Sequence, residues 1–264
     1  MQPDTVVLVH GFWVTPRAWE NWIAHYEDKG FRVIAPAYPG FEAGVEALNA
    51  DPAAVETVTV PAVVSALEKV IADLDRPPVI MGHSAGGAFT QILLDRGFGA
   101  AGVAINSAPT EGVAVSPLSR VRPFFPVPEN PADRHRAVGF DYAQWRHALT
   151  NTFSEGQART AYERHHVPAP GSIVWGSALA TLHPGHTGTY VDYRNLGRAP
   201  LLFCSGEHDH LMPPQVQRSN AERYRADGAT TEVTVFPGRS HLMPVQDNWQ
   251  EIADHALDWA LAHS

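Results

Sequence analysis

The chain has 264 residues, 44% of them hydrophobic, and its 18% charged fraction lies below the roughly 25% of an average soluble domain, which excludes an intrinsically disordered chain. With 19 Lys+Arg against 28 Asp+Glu the net charge is −9, and the basic residues form no block, so there is no footprint for nucleic acid or an anionic membrane surface. The lone cysteine, Cys204, excludes a disulfide framework and a cysteine-based zinc site, and a chain of this length buries enough surface to fold without either.

The N-terminus runs almost directly into Val6-Val7-Leu8-Val9 with no basic leader, and no apolar run approaches the ~20 residues of a bilayer span, so a soluble, cytoplasmic protein is expected. Thr5 to Val9 reads as a buried strand. Thr15 then offers an N-cap with Pro16 at the first helical position; Trp19, Trp22, Ile23 and Tyr26 follow at helical spacing, and Gly30 ends that helix. Phe31 to Ala35 is a second strand, and a looser segment leads to a helix opened by Thr59 and Pro61. Val79-Ile80-Met81 is a third strand, Ala88 to Asp95 a helix and Ala101 to Asn106 a fourth strand. Strands alternating with amphipathic helices predict βαβ units on a parallel sheet.

From about Val113 to Asn195 prolines and polar helical pieces replace the strand pattern, with helices expected at Tyr142 to Leu149 and Glu155 to His165. The pattern resumes at Pro200 to Cys204, followed by a helix over Gln215 to Ala226, a strand over Thr231 to Phe236 and a last helix over Trp249 to Leu261. The expected fold is therefore α/β, a mostly parallel central sheet flanked by helices. Its core would be residues 1–112 and 196–264, with a helical cap inserted at 113–195.

Gly82-His83-Ser84-Ala85-Gly86 sits between a strand and a helix. A serine hydroxyl is a poor nucleophile and must be presented uncrowded, beside a base. A sharp strand-to-helix turn does this, and needs small residues two positions either side of the serine. His10-Gly11-Phe12 ends the first strand, where a loop can supply one of two backbone N–H donors to an oxyanion. The donors expected are Phe12 and Ala85, with Trp13 the alternative to Phe12; His10 reads as a brace of its loop. Among 14 histidines, His241 in Gly238-Arg239-Ser240-His241 follows a strand and precedes the last helix, which suits the base in the order serine, acid, histidine. His83 is expected to point away from the nucleophile by strand alternation. The acid that orients the base is Asp209 in Gly206-Glu207-His208-Asp209, with Glu207 the alternative.

These four segments, in this order, resemble the α/β-hydrolase fold superfamily and its cap-bearing esterase/lipase-like branch, over all of the chain outside roughly 113–195. The resemblance implies catalytic Ser84, Asp209 and His241. Ala37, before Tyr38-Pro39-Gly40, departs from the aspartate that many relatives carry there. Serine at position 84, where dehalogenase and epoxide-hydrolase relatives carry aspartate, argues against those two reactions.

Neither His208-Asp209-His210 nor His183-Pro184-Gly185-His186 has the spacing of a zinc site, and no glycine-rich turn fits a phosphate or dinucleotide loop, so neither metal nor cofactor is expected. Trp13, Phe124, Phe125, Tyr142, Trp145 and Trp175 are candidates for an apolar substrate pocket. The expected activity is hydrolysis of a hydrophobic or uncharged carboxylic ester or lactone through an acyl-enzyme, with a small-molecule ester as the only partner. A C–C bond hydrolase, a hydroxynitrile-lyase-like lyase and a non-catalytic ligand-binding protein are the alternatives; the sequence says nothing of oligomeric state.

Overall fold

Among the described residues there are eight strands: β1 (Thr5–Val9), β2 (Arg32–Ile34), β3 (Val79–His83), β4 (Ala101–Ile105), β5 (Ala137–Val138), β6 (Ala169–Pro170), β7 (Leu201–Gly206) and β8 (Thr231–Phe236). In the computed structural model, which describes residues 2–113, 134–174, 186–224 and 228–264, six of them form one sheet in the order β2-β1-β3-β4-β7-β8, every neighbouring pair parallel. Strand alternation splits the core into two layers. Val7, Val9, Ile80, Leu201 and Phe203 face α4 (Val60–Ala72) and α5 (Ala85–Asp95), whereas Val6, Leu8, Met81, Val103, Leu202 and Cys204 face α1 (Glu20–Asp28) and α9 (Gln250–His263). The thiol of Cys204 is fully buried in that second layer, and burial pushes its pKa far above the ordinary thiol value.

The chain order turns back at β1, which has β2 on one side and β3 on the other. The crevice beyond the carboxyl ends of β1 and β3 is the topological switch point where open α/β sheets place their sites. His10-Gly11-Phe12 and Ser84 both emerge there.

Several boundaries differ from the sequence expectation. The helix expected from Ala88 begins at Ala85, directly after the turn residue. The third strand runs on to His83 because it stays in register with Ile105 of β4. The looser segment after β2 contains two short helices, α2 (Val45–Ala50) and α3 (Ala53–Glu56), and a single 3-10 turn over Pro16–Trp19 precedes α1. α8 (Pro214–Ala221) ends earlier than the apolar spacing suggested.

Between β4 and β7 the chain leaves the sheet. Of the described residues there, 134–174 hold α6 (Tyr142–Ala148), α7 (Glu155–His165) and the two-stranded antiparallel ribbon β5–β6. Both helices open with capping boxes, Asp141 with Gln144 and Ser154 with Gln157. The segment has its own aromatic centre: Trp145 is 0% exposed, closed in by Phe140, Tyr162 and His166 with ring centroids 6.5, 5.6 and 5.5 Å away. Among the described residues, no helix is long and apolar enough to cross a membrane.

Trp145→Ala is expected to cost about 3–5 kcal/mol, the usual loss for a large aromatic cut from a packed centre. Equilibrium urea denaturation checks this; a loss under 1 kcal/mol would contradict the central place given to Trp145.

Candidate active site

Ser84 ends β3 with φ 54° and ψ −117°, a left-handed backbone that a residue with a β-carbon adopts only under strain. The turn is so tight that a β-carbon at position 82 would lie 2.0 Å from the Gly86 carbonyl oxygen, and one at position 86 would lie 2.1 Å from that of Val9. Only glycine fits either place. The oxyanion-loop candidate presses on the same turn, since a β-carbon at Gly11 would approach the Ser84 β-carbon to 2.9 Å. The Ser84 N–H donates to the Ile105 carbonyl at 2.9 Å, which ties the turn to β4. Ala85, as the first residue of α5, presents its N–H from a helix N-terminus, and no acceptor is assigned among the described residues to the Ala85 or Phe12 N–H.

His241 and Asp209 are brought together from different loops. The His241 Nδ1–H donates to Asp209 Oδ2 at 2.8 Å, and both side chains are essentially inaccessible. Asp209 Oδ1 accepts from the Leu211 and Met212 N–H groups, each at 2.8 Å. Three donors thus hold the carboxylate still. Because a carboxylate only accepts, the proton sits on His241 Nδ1 and the Nε2 lone pair is left open. Glu207, the alternative acid, is half exposed and accepts instead from the Gly238 N–H at 3.0 Å.

Two residues outside the expected catalytic set fix the backbone of His241. His83 Nε2–H donates to the His241 carbonyl at 2.9 Å and so braces the histidine loop. Asn106 was read as the end of the fourth strand; it lies just past β4 with φ 44°, 0% exposed. Its Nδ2 donates to the Ser240 and His241 carbonyls at 3.0 and 2.9 Å, and its Oδ1 accepts from the Gly206 N–H at 2.7 Å. One side chain therefore links the end of β7, just before Asp209, to the loop of His241. An asparagine at a strand end was the only signal available, since asparagine tolerates the left-handed region.

His10 stacks on Tyr38 with ring centroids 3.8 Å apart, its Nδ1 lies 2.7 Å from the Gly11 carbonyl, and the Tyr38 hydroxyl donates to the His10 carbonyl. The position of His10 is that of a brace. Phe12 packs edge-on to Tyr38 and Phe89. Of the pocket candidates, Trp13 is buried, with its indole N–H donating to the Val138 carbonyl at 3.0 Å. Trp145 has no exposed surface to offer a bound molecule. Tyr142 points outward, its hydroxyl 2.7 Å from Glu155 Oε1 and its ring beneath Arg159. Both rings take part in the packing of 134–174 itself. Phe124, Phe125 and Trp175 lie outside the described residues, as does His183. Among the described residues, no group of three or more His, Cys, Asp or Glu is placed to hold a metal ion.

The chain belongs to the alpha/beta hydrolase family, whose model matches residues 6–255. None of the curated protein sequences matches it. Among solved structures it is similar to a monoacylglycerol lipase from Paleococcus ferrophilus, with 18% identity, a TM-score of 0.66, and coverage of 100% of this chain and 96% of that one. A pyrethroid hydrolase from Sphingobium faniae JZ-2 is 19% identical with a TM-score of 0.68, over 97% of each chain. A methylesterase from Arabidopsis is 14% identical with a TM-score of 0.68, over 97% of this chain and 98% of that one.

Burial pushes the His83 ring down to about 3, with the neighbouring His241 adding to the effect, and burial pushes His10 down to about 4. Both rings stay neutral in the folded chain at a pH where the unfolded chain protonates them, below about 6.5. The unfolded state then binds more protons, so this contribution is intact above about pH 6.5 and is lost as pH falls toward 4 and, for His83, toward 3. For His83 the loss reaches about 2 kcal/mol by pH 5, at about 1.4 kcal/mol per pH unit. The urea midpoint is expected to fall between pH 7 and pH 5, and His83→Gln should fall less steeply. Equal slopes for the two proteins would contradict it.

Proposed function

We propose that the chain is a serine hydrolase of hydrophobic or uncharged carboxylic esters or lactones, with Ser84 as nucleophile, His241 as general base and Asp209 as the residue that orients it. The observation that carries this reading is the buried His241–Asp209 hydrogen bond at 2.8 Å, set across the strand ends from a serine with left-handed backbone. The names of the structural neighbours, a lipase, a pyrethroid hydrolase and a methylesterase, support a hydrolase of esters.

In this reading His241 Nε2 takes the Ser84 hydroxyl proton as Oγ bonds to the substrate carbonyl carbon. The carbonyl oxygen gains the electron pair and is held by the Phe12 and Ala85 N–H groups. The pair returns, the C–O bond to the alcohol breaks, and His241 gives its proton to the leaving oxygen. Water then attacks the acyl-enzyme carbonyl, losing its proton to His241; the bond from the acyl carbon to Oγ breaks, His241 gives that proton to Oγ, and the acid product leaves. Asp209 keeps its partner in the tautomer whose Nε2 is open. The segment 113–195 serves as a cap that shields these steps from bulk water. No cofactor takes part.

Ser84→Ala is expected to keep the thermal midpoint and lose at least about 10^3-fold in turnover of a short aryl ester, together with labelling by a fluorophosphonate. Turnover within a few-fold of the parent would overturn the assignment. A cyanohydrin or diketone placed beside the ester tests the chemistry: cleavage of either without ester turnover would replace the ester reading.

A further inference from the structure

Phe12 is not held by the core alone. Upstream, the Tyr38 hydroxyl and β1 pin His10. Downstream, Trp13 has φ 65°, a conformation that a bulky side chain adopts only when its surroundings enforce it. What enforces it comes from the segment 134–174. The Trp13 indole N–H donates to the Val138 carbonyl at 3.0 Å, and the Trp13 carbonyl accepts from the Val167 N–H at 3.0 Å. Val138 lies on β5 and Val167 just before β6, so the two sides of the ribbon grip one residue from both its ends. The Trp13 ring packs on Phe140 with centroids 4.9 Å apart.

The same corner is fastened by polar contacts. The Asn49 amide donates to the His166 carbonyl at 2.7 Å, and Arg17 donates to the Arg164 carbonyl at 3.3 Å while pairing with Glu46. Arg164 pairs with Glu20 in turn.

We infer that Trp13 is a positioning residue that makes the oxyanion hole conditional on the seating of segment 134–174. The segment grips Trp13 and so keeps the loop turned with the Phe12 N–H facing Ser84. When the ribbon lifts, the strained backbone at Trp13 relaxes and that donor swings away. Loss of the ribbon's grip on Trp13 alone then leaves the transition state short of one hydrogen bond, while the contacts of 134–174 beside Asp209 and His241, Asn151 to the His208 carbonyl and Leu242 to the Leu149 carbonyl, stay in place. This inference rests on the reading of Phe12 as an oxyanion donor.

Two variants test it from opposite sides. Trp13→Phe keeps an aromatic ring and removes the indole donor. Val167→Pro removes the N–H that reaches the Trp13 carbonyl and touches no residue of the triad. Loss of a complete oxyanion donor costs about 10^2- to 10^3-fold in kcat, so a displaced one is expected to cost about 10-fold, with KM of an aryl ester changed less than about 3-fold. Inhibition by an aryl trifluoromethyl ketone, whose serine adduct carries the oxyanion, should weaken in step with kcat. Binding of the carboxylic acid product, which forms no such adduct, should not. Should Trp13→Phe fail to fold, Val167→Pro decides the matter.

Parent kcat and parent ketone inhibition in a folded variant, even with a lower thermal midpoint, would overturn the inference and reduce Trp13 to packing. The Ser84→Ala result separates this from the wider reading. An inactive Ser84→Ala beside an unaffected Trp13→Phe or Val167→Pro rejects only the coupling, whereas an active Ser84→Ala rejects the hydrolase assignment itself.

Discussion

The backbone at Ser84 is the constraint on which the other features depend. A serine in this conformation is strained by about 1–3 kcal/mol, and it persists because its neighbours leave no alternative path. β3 is clamped between β1 and β4, α5 starts at the next residue, and Gly82 and Gly86 are in contact with backbone at distances that no side chain could share. The strain is local, and the packing of a buried parallel sheet offsets it. The turn holds the hydroxyl at the end of a helix, beside the loop that follows β1.

The site is otherwise assembled by backbone carbonyls held from the side. The His241 carbonyl receives donors from His83 and Asn106, and Asn106 also receives the Gly206 N–H. Three strand ends, β3, β4 and β7, therefore share one buried hydrogen-bond junction with the loop after β8. Residues 134–174 are fastened to the neighbouring loops, since the Leu242 N–H donates to the Leu149 carbonyl at 2.9 Å and Asn151 donates to the His208 carbonyl at 2.9 Å. Each of the loops after β1, β7 and β8 is thus tied both to the sheet and to residues 134–174.

The sheet was legible because its strands are continuous apolar runs between helices, a pattern that only a parallel sheet covered on both faces requires. The four loop segments were legible because glycine marks positions where the backbone approaches another chain segment, as Gly11, Gly82 and Gly86 do. Asn106 was not, because its importance comes from a hydrogen bond spanning 135 residues to His241, and nothing local in the sequence encodes that distance. The packing partners of Trp145 and Tyr142 were hidden for a related reason. Aromatic residues in an insertion look alike in sequence whether they pack on one another or line a pocket, and only the three-dimensional partners distinguish them. The start of α5 was placed too late because glycines at 86 and 87 lower helix propensity, which the tertiary contacts of that helix override.

Cys204 gives the molecule a built-in reporter. The only sulfhydryl in the sequence lies within β7 on the sheet face covered by helices, with no exposed surface and its ionisation suppressed by burial. Alkylating reagents consequently react only with molecules in which the helix layer over this face of the sheet has lifted away. The rate at which iodoacetamide is incorporated under native conditions counts those openings directly, without any engineered label.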